Sequence, residues 1–389
     1  GFIRDLLLGE ENFDLDIVIE KNGIAFATKL SKILNAHLVK HRAFGTATVT
    51  KKDGLKIDIA TCRKEFYPNP TELPIVRQGS IEDDLFRRDF TINAMACHID
   101  FEKFGQFVDI FGGLRDLKDG RIRFLHEGSF VDDPTRIIRA VRFEQRLDFC
   151  IDTKTLSFIK QAKKMKLLEK VQKHRIRDEL ILVFKERNPY SVLKRLKQIY
   201  SLSFINKNIN LSKNLKRVFC DIDKARMWFV SNFPQRRNLD IWLMYIAAFL
   251  HCLSPGVLFR LLNKYAFFRG DKKRIISFKK EFRKIDKNLS MERLPVIKLH
   301  NILYPLSYEV IILAFVISES QQTKKRVREF FLKHHHKKLI INGEDLLSLG
   351  IKAGPEFREI FQKVFRAKIN GKIHTKEEEL ELVKQIISR

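Results

Sequence analysis

The hydrophobic period changes once along this chain, and that change constrains the fold more than any other feature. Up to about residue 125 the apolar residues come in short β-branched runs, at 16–20, Thr46–Thr50 and Lys56–Thr61, with one helical stretch at 24–34. Alternation predicts strands, because successive side chains point to opposite faces, whereas repeats of three and four predict helix. Pro68, Pro70 and Pro74 mark a loop, since proline lacks an amide proton and fixes φ. From about residue 130 onward the apolar residues recur at threes and fours, as in 156–162, 178–184, 192–199, 242–250 and 377–387. Segment 310–317 is apolar all round and is expected to be a buried helix. The expected fold class is α+β: a mixed sheet with helices, followed by an all-helical remainder.

At 389 residues the chain is long enough for more than one domain, and 44% hydrophobic with 31% charged residues fits a globular protein. No apolar stretch reaches membrane-spanning length and no signal peptide is visible, so a cytoplasmic protein with no membrane partner is expected. Cys62, Cys97, Cys150, Cys220 and Cys252 lack the paired spacing of a zinc site or disulfide framework. His334-His335-His336, flanked by lysines, reads as a solvated basic surface. The chain begins at Gly1 rather than Met, as part of a longer chain would. Its oligomeric state has no sequence signature.

Charge is distributed unevenly. Residues 1–140 carry 21 Lys+Arg and 22 Asp+Glu, whereas residues 141–389 carry 53 and 25. A Lys-rich proteome would raise charge everywhere. A charge-balanced beginning joined to a basic remainder suits a catalytic head on a body that binds a polyanion.

Chemistry is concentrated in three blocks. Asp14-Leu15-Asp16 places two carboxylates at i and i+2 of an apolar run, on one side of a strand. Like charges so close repel unless a cation lies between them, and Mg²⁺ suits oxygen ligands while leaving positions for phosphate. Asp58, central in the run at Lys56–Thr61, offers a third carboxylate on a neighbouring strand. Gly1 and Arg4 just upstream suit a triphosphate. In the second block, Arg87-Arg88-Asp89-Phe90-Thr91-Ile92-Asn93-Ala94, Arg88 offers a planar fork for phosphate, and Asp89 and Asn93 suit a ribose. Arg87 reads as an ion-pair residue. In the third, Asp132-Asp133-Pro134 precedes a helix that Asp133 caps, with Pro134 at its first position. Arg136, Arg139 and Arg142 then share one arc while Ile137 and Val141 fall opposite, so one face packs and the other presents three guanidinium groups. The stretch His174-Arg175-Ile176-Arg177-Asp178-Glu179-Leu180 adds cationic support.

In this order the blocks resemble class II tRNA nucleotidyltransferases, the family of CCA-adding enzymes and bacterial poly(A) polymerases. Gly1 to Asp5 resembles the end of the family's Gly-Gly-x-x-Arg-Asp, with the leading Gly absent. Segment 109–117 looks like its hinge, and 343–350 with Gly354-Pro355 resembles its tail. The resemblance implies a catalytic head at 1–125, a base-reading neck at 126–200, and a tRNA-binding body and tail at 201–389. It also implies that Asp14 and Asp16 hold Mg²⁺, with Asp58 as the third catalytic carboxylate. Gly1, Arg4, Arg88, Asp89 and Asn93 would contact the nucleotide, Asp133 and Arg136 would read its base edge, and Arg139 and Arg142 would bind phosphates. The family often has Glu where this chain has Asp132. The loop from Arg63 through Leu73-Pro74 to Ile81 looks most like A-adding members, which use ATP. CCA addition with CTP and ATP, CC addition and poly(A) synthesis stay open, as does a catalytically silent RNA-binding protein.

Overall fold

The computed structural model describes residues 1–11, 14–42, 45–69, 71–72 and 74–388. Pro70 and Leu73, which figure in the sequence expectations, lie outside the described residues. The chain divides into two compact units, Gly1–Asn210 and Leu211–Arg389.

The first unit opens with helix α1 (Phe2–Leu7) and a four-stranded sheet of β1 (Leu15–Ile19), β2 (His37–His41), β3 (Thr46–Thr50) and β4 (Lys56–Thr61). The strand order is β1-β4-β3-β2, with β1 and β4 parallel and the other pairs antiparallel. Strand alternation decides what each face does. Ala47, Val49, Ile57 and Ile59 are buried together with Ala27 of α2 (Gly23–Ile33). Asp16, Asp58 and Thr48 instead form a row across β1, β4 and β3 on the other face. Gly23 is required here, because a Cβ would come within 2.8 Å of the Ala60 backbone. The sheet is thus pressed against α2 on one side and leaves the polar row on the other.

A hairpin of β5 (Arg63–Phe66) and β6 (Ile75–Gln78) follows, then α3 (Ile81–Phe86) behind a Ser80–Asp83 capping box. Helix α4 (Gly113–Lys118) begins where Asp109 accepts from the amides of Gly113 and Leu114, at 2.6 and 2.9 Å. Helices α5 (Ser129–Asp132), α6 (Thr135–Leu147), α7 (Thr153–Lys164), α8 (Leu167–Lys170), α9 (Lys173–Lys185) and α10 (Pro189–Ile199) complete the unit. Helix α6 packs on α9 and α10 and buries Ile137, Ile138, Ala140 and Val141 completely.

The second unit is helical: α11 (Lys213–Asn232), α12 (Ile241–Phe249), α13 (Pro255–Lys264), α14 (Arg269–Leu289), α15 (Val296–Leu303), α16 (Tyr308–Ile317), α17 (Gln321–Glu329), α18 (Gly343–Ser348), α19 (Pro355–Ile369) and α20 (Lys376–Ile387). Helices α11, α12, α14 and α17 surround α16, whose Val310 to Ala314 and Val316 are buried, as its all-round apolarity predicts. Each such aliphatic side chain contributes about 2 kcal/mol of burial free energy. Among the described residues no single helix is long and apolar enough to cross a membrane.

The histidine run departs from the sequence reading. His334 is buried and the His335 ring stacks on Phe331 at 5.9 Å, so only His336 is exposed as expected. Flanking lysines suggested a surface, but Phe330 and Phe331 pull the preceding turn into the core.

Candidate active site

A cavity of about 640 Å³ opens in the first unit and gathers residues from all three motif blocks. Gly1, Arg4, Asp14, Arg88, Asp89, Asn93, Asp133, Arg136, Arg139 and Arg142 line it. Asp16 and Asp58 do not. They face each other across the parallel β1–β4 pair, at register positions Asp16↔Asp58.

The carboxylates differ in their partners. Asp14 precedes β1 and is exposed, as is Asp16. The Asp16 carboxyl titrates above its ordinary value, first through partial loss of hydration and further through repulsion from Asp14 and Asp58. Asp58 accepts from Thr48 Oγ1 and, at 2.7 Å, from Lys56 Nζ. These two donors outweigh the opposing effect of burial and hold its carboxyl below the usual range. The donor set of Asp14 and Asp16 fits a hard divalent cation, which would relieve the repulsion felt by Asp16. Among the described residues no three His, Cys, Asp or Glu side chains converge to hold an ion.

The second block forms the cavity wall. Asp89 is buried and accepts from its neighbour Phe90 N at 2.9 Å and from Asn93 Nδ2 at 2.9 Å. Arg139 of α6 grips its other oxygen through Nε at 2.7 Å and Nη2 at 2.6 Å. Burial works against ionisation of Asp89, but Arg139 and Asn93 outweigh it and keep the carboxyl below its ordinary value. Asn93 also accepts from Arg4, which ties α1 to this block. Arg87 pairs with the fully buried Asp84 at 2.8 Å, the ion-pair role read from sequence.

Helix α6 corrects the expectation of an open arginine face. Arg136 and Arg142 are buried, and the apolar residues opposite them are buried too. Arg136 donates to Ser129 Oγ at 2.7 Å and to the Arg87 carbonyl at 2.6 Å. Arg142 pairs with Glu186 at 3.2 Å, and Arg139 with Glu179 at 3.4 Å in addition to Asp89. A 3.6-residue period shows which side chains share an arc but not what lies against that arc. Here α9 lies against it and supplies Glu179, with Glu186 one residue beyond its end. The helix start is also one residue later than expected. Thr135 is its first residue and Pro134 its N-cap, so Asp133 lies one residue outside the cap, accepting from Thr135 N at 3.0 Å and pairing with Arg175 at 2.8 Å.

Among the described residues, two buried donors at the cavity wall have no hydrogen-bond partner: Arg88 Nε and Arg142 Nε. Unsatisfied buried cationic donors are costly, and oxyanions of a ligand satisfy them. Burial also lowers the Arg142 guanidinium's affinity for its proton, a penalty that an entering anion removes.

Phe143 and Arg146, to which the sequence gave no role, also line the cavity. Arg4, Arg139, Arg142 and Arg146 surround the ring of Phe143 at 5.0–5.6 Å, so one phenylalanine holds four guanidinium groups near one another. Arg63, Glu65 and Tyr67 enter from β5 and its exit; Glu65 accepts from Arg63 at 2.7 Å and from Tyr67 Oη at 2.8 Å. Glu65 and Tyr67 alternate along the strand, but nothing in one sequence shows that this hairpin folds towards α6.

Comparison with known proteins bears on what such a cavity belongs to. The model of the poly A polymerase head domain matches residues 1–123, and that of the probable RNA and SrmB-binding site of polymerase A matches 148–209. The A-adding tRNA nucleotidyltransferase of Halalkalibacterium halodurans is 32% identical over 397 aligned residues, covering 100% of this chain and 88% of that protein. The chain belongs to the tRNA nucleotidyltransferase and poly(A) polymerase family. The A-adding tRNA nucleotidyltransferase of Geobacter sulfurreducens is 34% identical over 98% of this chain, which spans only 44% of that protein's length. An apo structure of a CCA-adding enzyme superposes with a TM-score of 0.76 at 35% identity, covering 100% of this chain and 90% of that one. The α+β class with a helical remainder is therefore that of the family.

Proposed function

We propose that this chain transfers AMP from ATP to the 3′ end of a tRNA ending in CC, releasing pyrophosphate in a Mg²⁺-dependent reaction. The observation that carries the reading is the cavity. It brings Asp14 together with phosphate-suited arginines, two of which keep buried donors without acceptors, in a chain aligned along its length with A-adding relatives.

In this reading Asp14 and Asp16 would hold Mg²⁺, whose charge would favour deprotonation of the attacking 3′-hydroxyl and offset charge on the leaving oxygen. Asp58 backs the pair from β4 and keeps the local charge negative. Arg4, Arg88 and Arg142 bind triphosphate oxygens, with Gly1 beside them. Asp89 and Asn93 orient the ribose, and Arg139 holds Asp89 in place for it. Asp133 and Arg136 read the base edge, which requires Arg136 to exchange its bond to the Arg87 carbonyl for one to the base. The family's division then applies, with catalysis in residues 1–125, base reading in 126–200 and tRNA binding in 201–389. The protein acts in the cytoplasm.

A second reading, addition of all of CCA from CTP and ATP, is favoured by the solved neighbour's description as a CCA-adding enzyme. One experiment separates the two. Transfer RNAs lacking CCA, ending in CC, or complete are incubated with each labelled nucleotide. Extension of the CC-ended tRNA alone, with ATP alone, is expected. Incorporation of C onto the tRNA lacking CCA overturns A addition in favour of full CCA addition.

A further inference from the structure

The second unit contains a cleft of about 340 Å³ between α11 and α17, separate from the cavity described above. On α11, Lys224, Ala225 and Trp228 face it at helical spacing, and on α17 Gln321, Lys324 and Arg328 do the same. Its floor is apolar: Ala225 and Val316 are buried. Trp228 and Phe315 line it as half-buried rings, 20° from parallel with centroids 6.2 Å apart.

The charge at the rim is not balanced. Asp221 is neutralised by its own neighbour, accepting from Lys224 Nζ at 3.1 Å. Lys324 and Arg328 stand at i and i+4 on α17, a like-charge spacing that destabilises a helix in isolation. Neither makes an ion pair among the described residues, and the Arg328 guanidinium lies 5.3 Å over the Phe315 ring. Residues 211–389 carry 36 Lys+Arg against 18 Asp+Glu, so the field around the cleft is positive. Aromatic faces beside unpaired cations complement an unpaired nucleotide, which offers a flat base and an adjoining phosphate.

We propose that this cleft receives one unpaired nucleotide of the RNA substrate, with its base against Trp228 and Phe315 and its phosphate on Lys324 and Arg328. The proposal rests on the RNA-substrate reading above and adds a contact within the second unit.

The chain has two tryptophans, so Trp242→Phe leaves Trp228 as the sole indole. That protein is titrated with CC-ended tRNA while emission and filter-retained complex are followed together. Emission should fall about twofold or more in step with binding, because a stacked base quenches indole. Lys324→Glu with Arg328→Glu should weaken binding about tenfold or more at fixed salt and remove the quenching. Trp228→Ala should weaken it about tenfold; the quenching measurement stands even where that variant folds poorly. Tight tRNA binding with unchanged Trp228 emission, or unchanged affinity in the charge-reversed variant, overturns the proposal and leaves the RNA-substrate reading intact. No tRNA binding at all overturns both. Quenching by an acidic aromatic peptide but not by tRNA overturns it in favour of a protein partner.

Discussion

Cationic side chains do different work in the two units. In the first, Arg139 and Arg142 of α6 are half-buried and buried, and are matched to Asp89, Glu179 and Glu186 at hydrogen-bonding or ion-pair distance. In the second, Lys and Arg outnumber Asp and Glu two to one, and cations such as Lys325 and Arg328 stand exposed. A buried, matched guanidinium has a fixed direction and keeps its field in the presence of salt. An exposed lysine attracts from a distance and is screened over about 8 Å at physiological ionic strength. The first arrangement suits the orientation of a small polyanion, the second the capture of a large one. The contrast is weakest at Glu309, a buried carboxylate of the second unit held bidentately by Arg237 at 2.7 and 2.9 Å. Burial opposes its ionisation, yet Arg237 prevails and pushes its pKa down to about 2.

The largest expected effect breaks the two functions apart. Asp14→Ala should lower AMP incorporation by about 10³-fold or more, because in the proposed reading it removes a metal-holding charge from the reacting centre. Affinity for tRNA should stay within about twofold, since the proposed division assigns tRNA capture to the other region. Retained activity in a single-turnover assay would contradict the metal assignment. A large loss of tRNA affinity would show that the two regions do not divide the work this way.

Salt supplies the next test. Raising it from 50 to 200 mM should weaken tRNA binding by about 10³-fold if some six phosphates are neutralised, whereas ATP binding should change by only about threefold. Equilibrium binding of each ligand across that range measures both slopes. Equal slopes would mean that the arginines of α6 act as exposed charges after all.

Mild acid should distinguish the units by stability. Burial, with nearby cations, lowers His251 and His335 to about 4 in the second unit, and lowers His300 and His334 as well. In the first unit His126 is lowered to about 4, by burial and then Arg136. An unfolded imidazole titrates near 6.5, so below that pH the unfolded chain takes up protons that the folded chain refuses. The stability these groups provide is present above pH 6.5 and is lost as pH falls towards 4. The second unit should lose roughly 10 °C of melting temperature between pH 6.5 and 4.5, and the first less than half as much. Both tryptophans lie in the second unit and report it, while labelling of the buried Cys62 reports the first. Equal losses would reject the histidine account.

Sequence made the secondary structure and much of the site legible because both depend on local spacing. Strands at Thr46–Thr50 and Lys56–Thr61 occupy their expected bounds, and 16–20 shifts by one residue to Leu15–Ile19. Period two also placed Asp16 and Asp58 on the face opposite Ile57 and Ile59. What it could not supply was the partner across a long separation. Glu179 lies 40 residues from Arg139 and Glu186 lies 44 from Arg142, and no local pattern marks either carboxylate as theirs. The same gap explains His334 and His335: flanking lysines indicated solvent, whereas Tyr308, distant in sequence, packs against the His335 ring at 5.1 Å. The sequence pairs Asp14 with Asp16, and the two carboxylates do repel one another, although of the two only Asp14 lines the cavity.

The smallest expected effect lies between two adjacent arginines and sharpens the contrast within the first unit itself. Arg87 and Arg88 carry the same charge one residue apart, and both line the cavity. Arg87 is occupied: its Nε and Nη2 donate to Asp84 at 3.0 and 2.8 Å, and Glu65 lies 3.6 Å away. Among the described residues Arg88 is held by longer contacts, 3.3 Å to the Asn93 carbonyl and 3.4 Å to Asp84, and its buried Nε has no hydrogen-bond partner. An incoming phosphate therefore gains a donor from Arg88 at no cost in broken pairs, but would have to displace a carboxylate to gain one from Arg87. Arg88→Ala should lower kcat/KM for ATP by about 30-fold, in keeping with the loss of a charged hydrogen bond. Arg87→Ala should lower it by only about threefold, while reducing the melting temperature because Asp84 loses its closest cation. Equal kinetic losses in the two variants would show that total charge at the cavity, not the free donor, governs nucleotide binding.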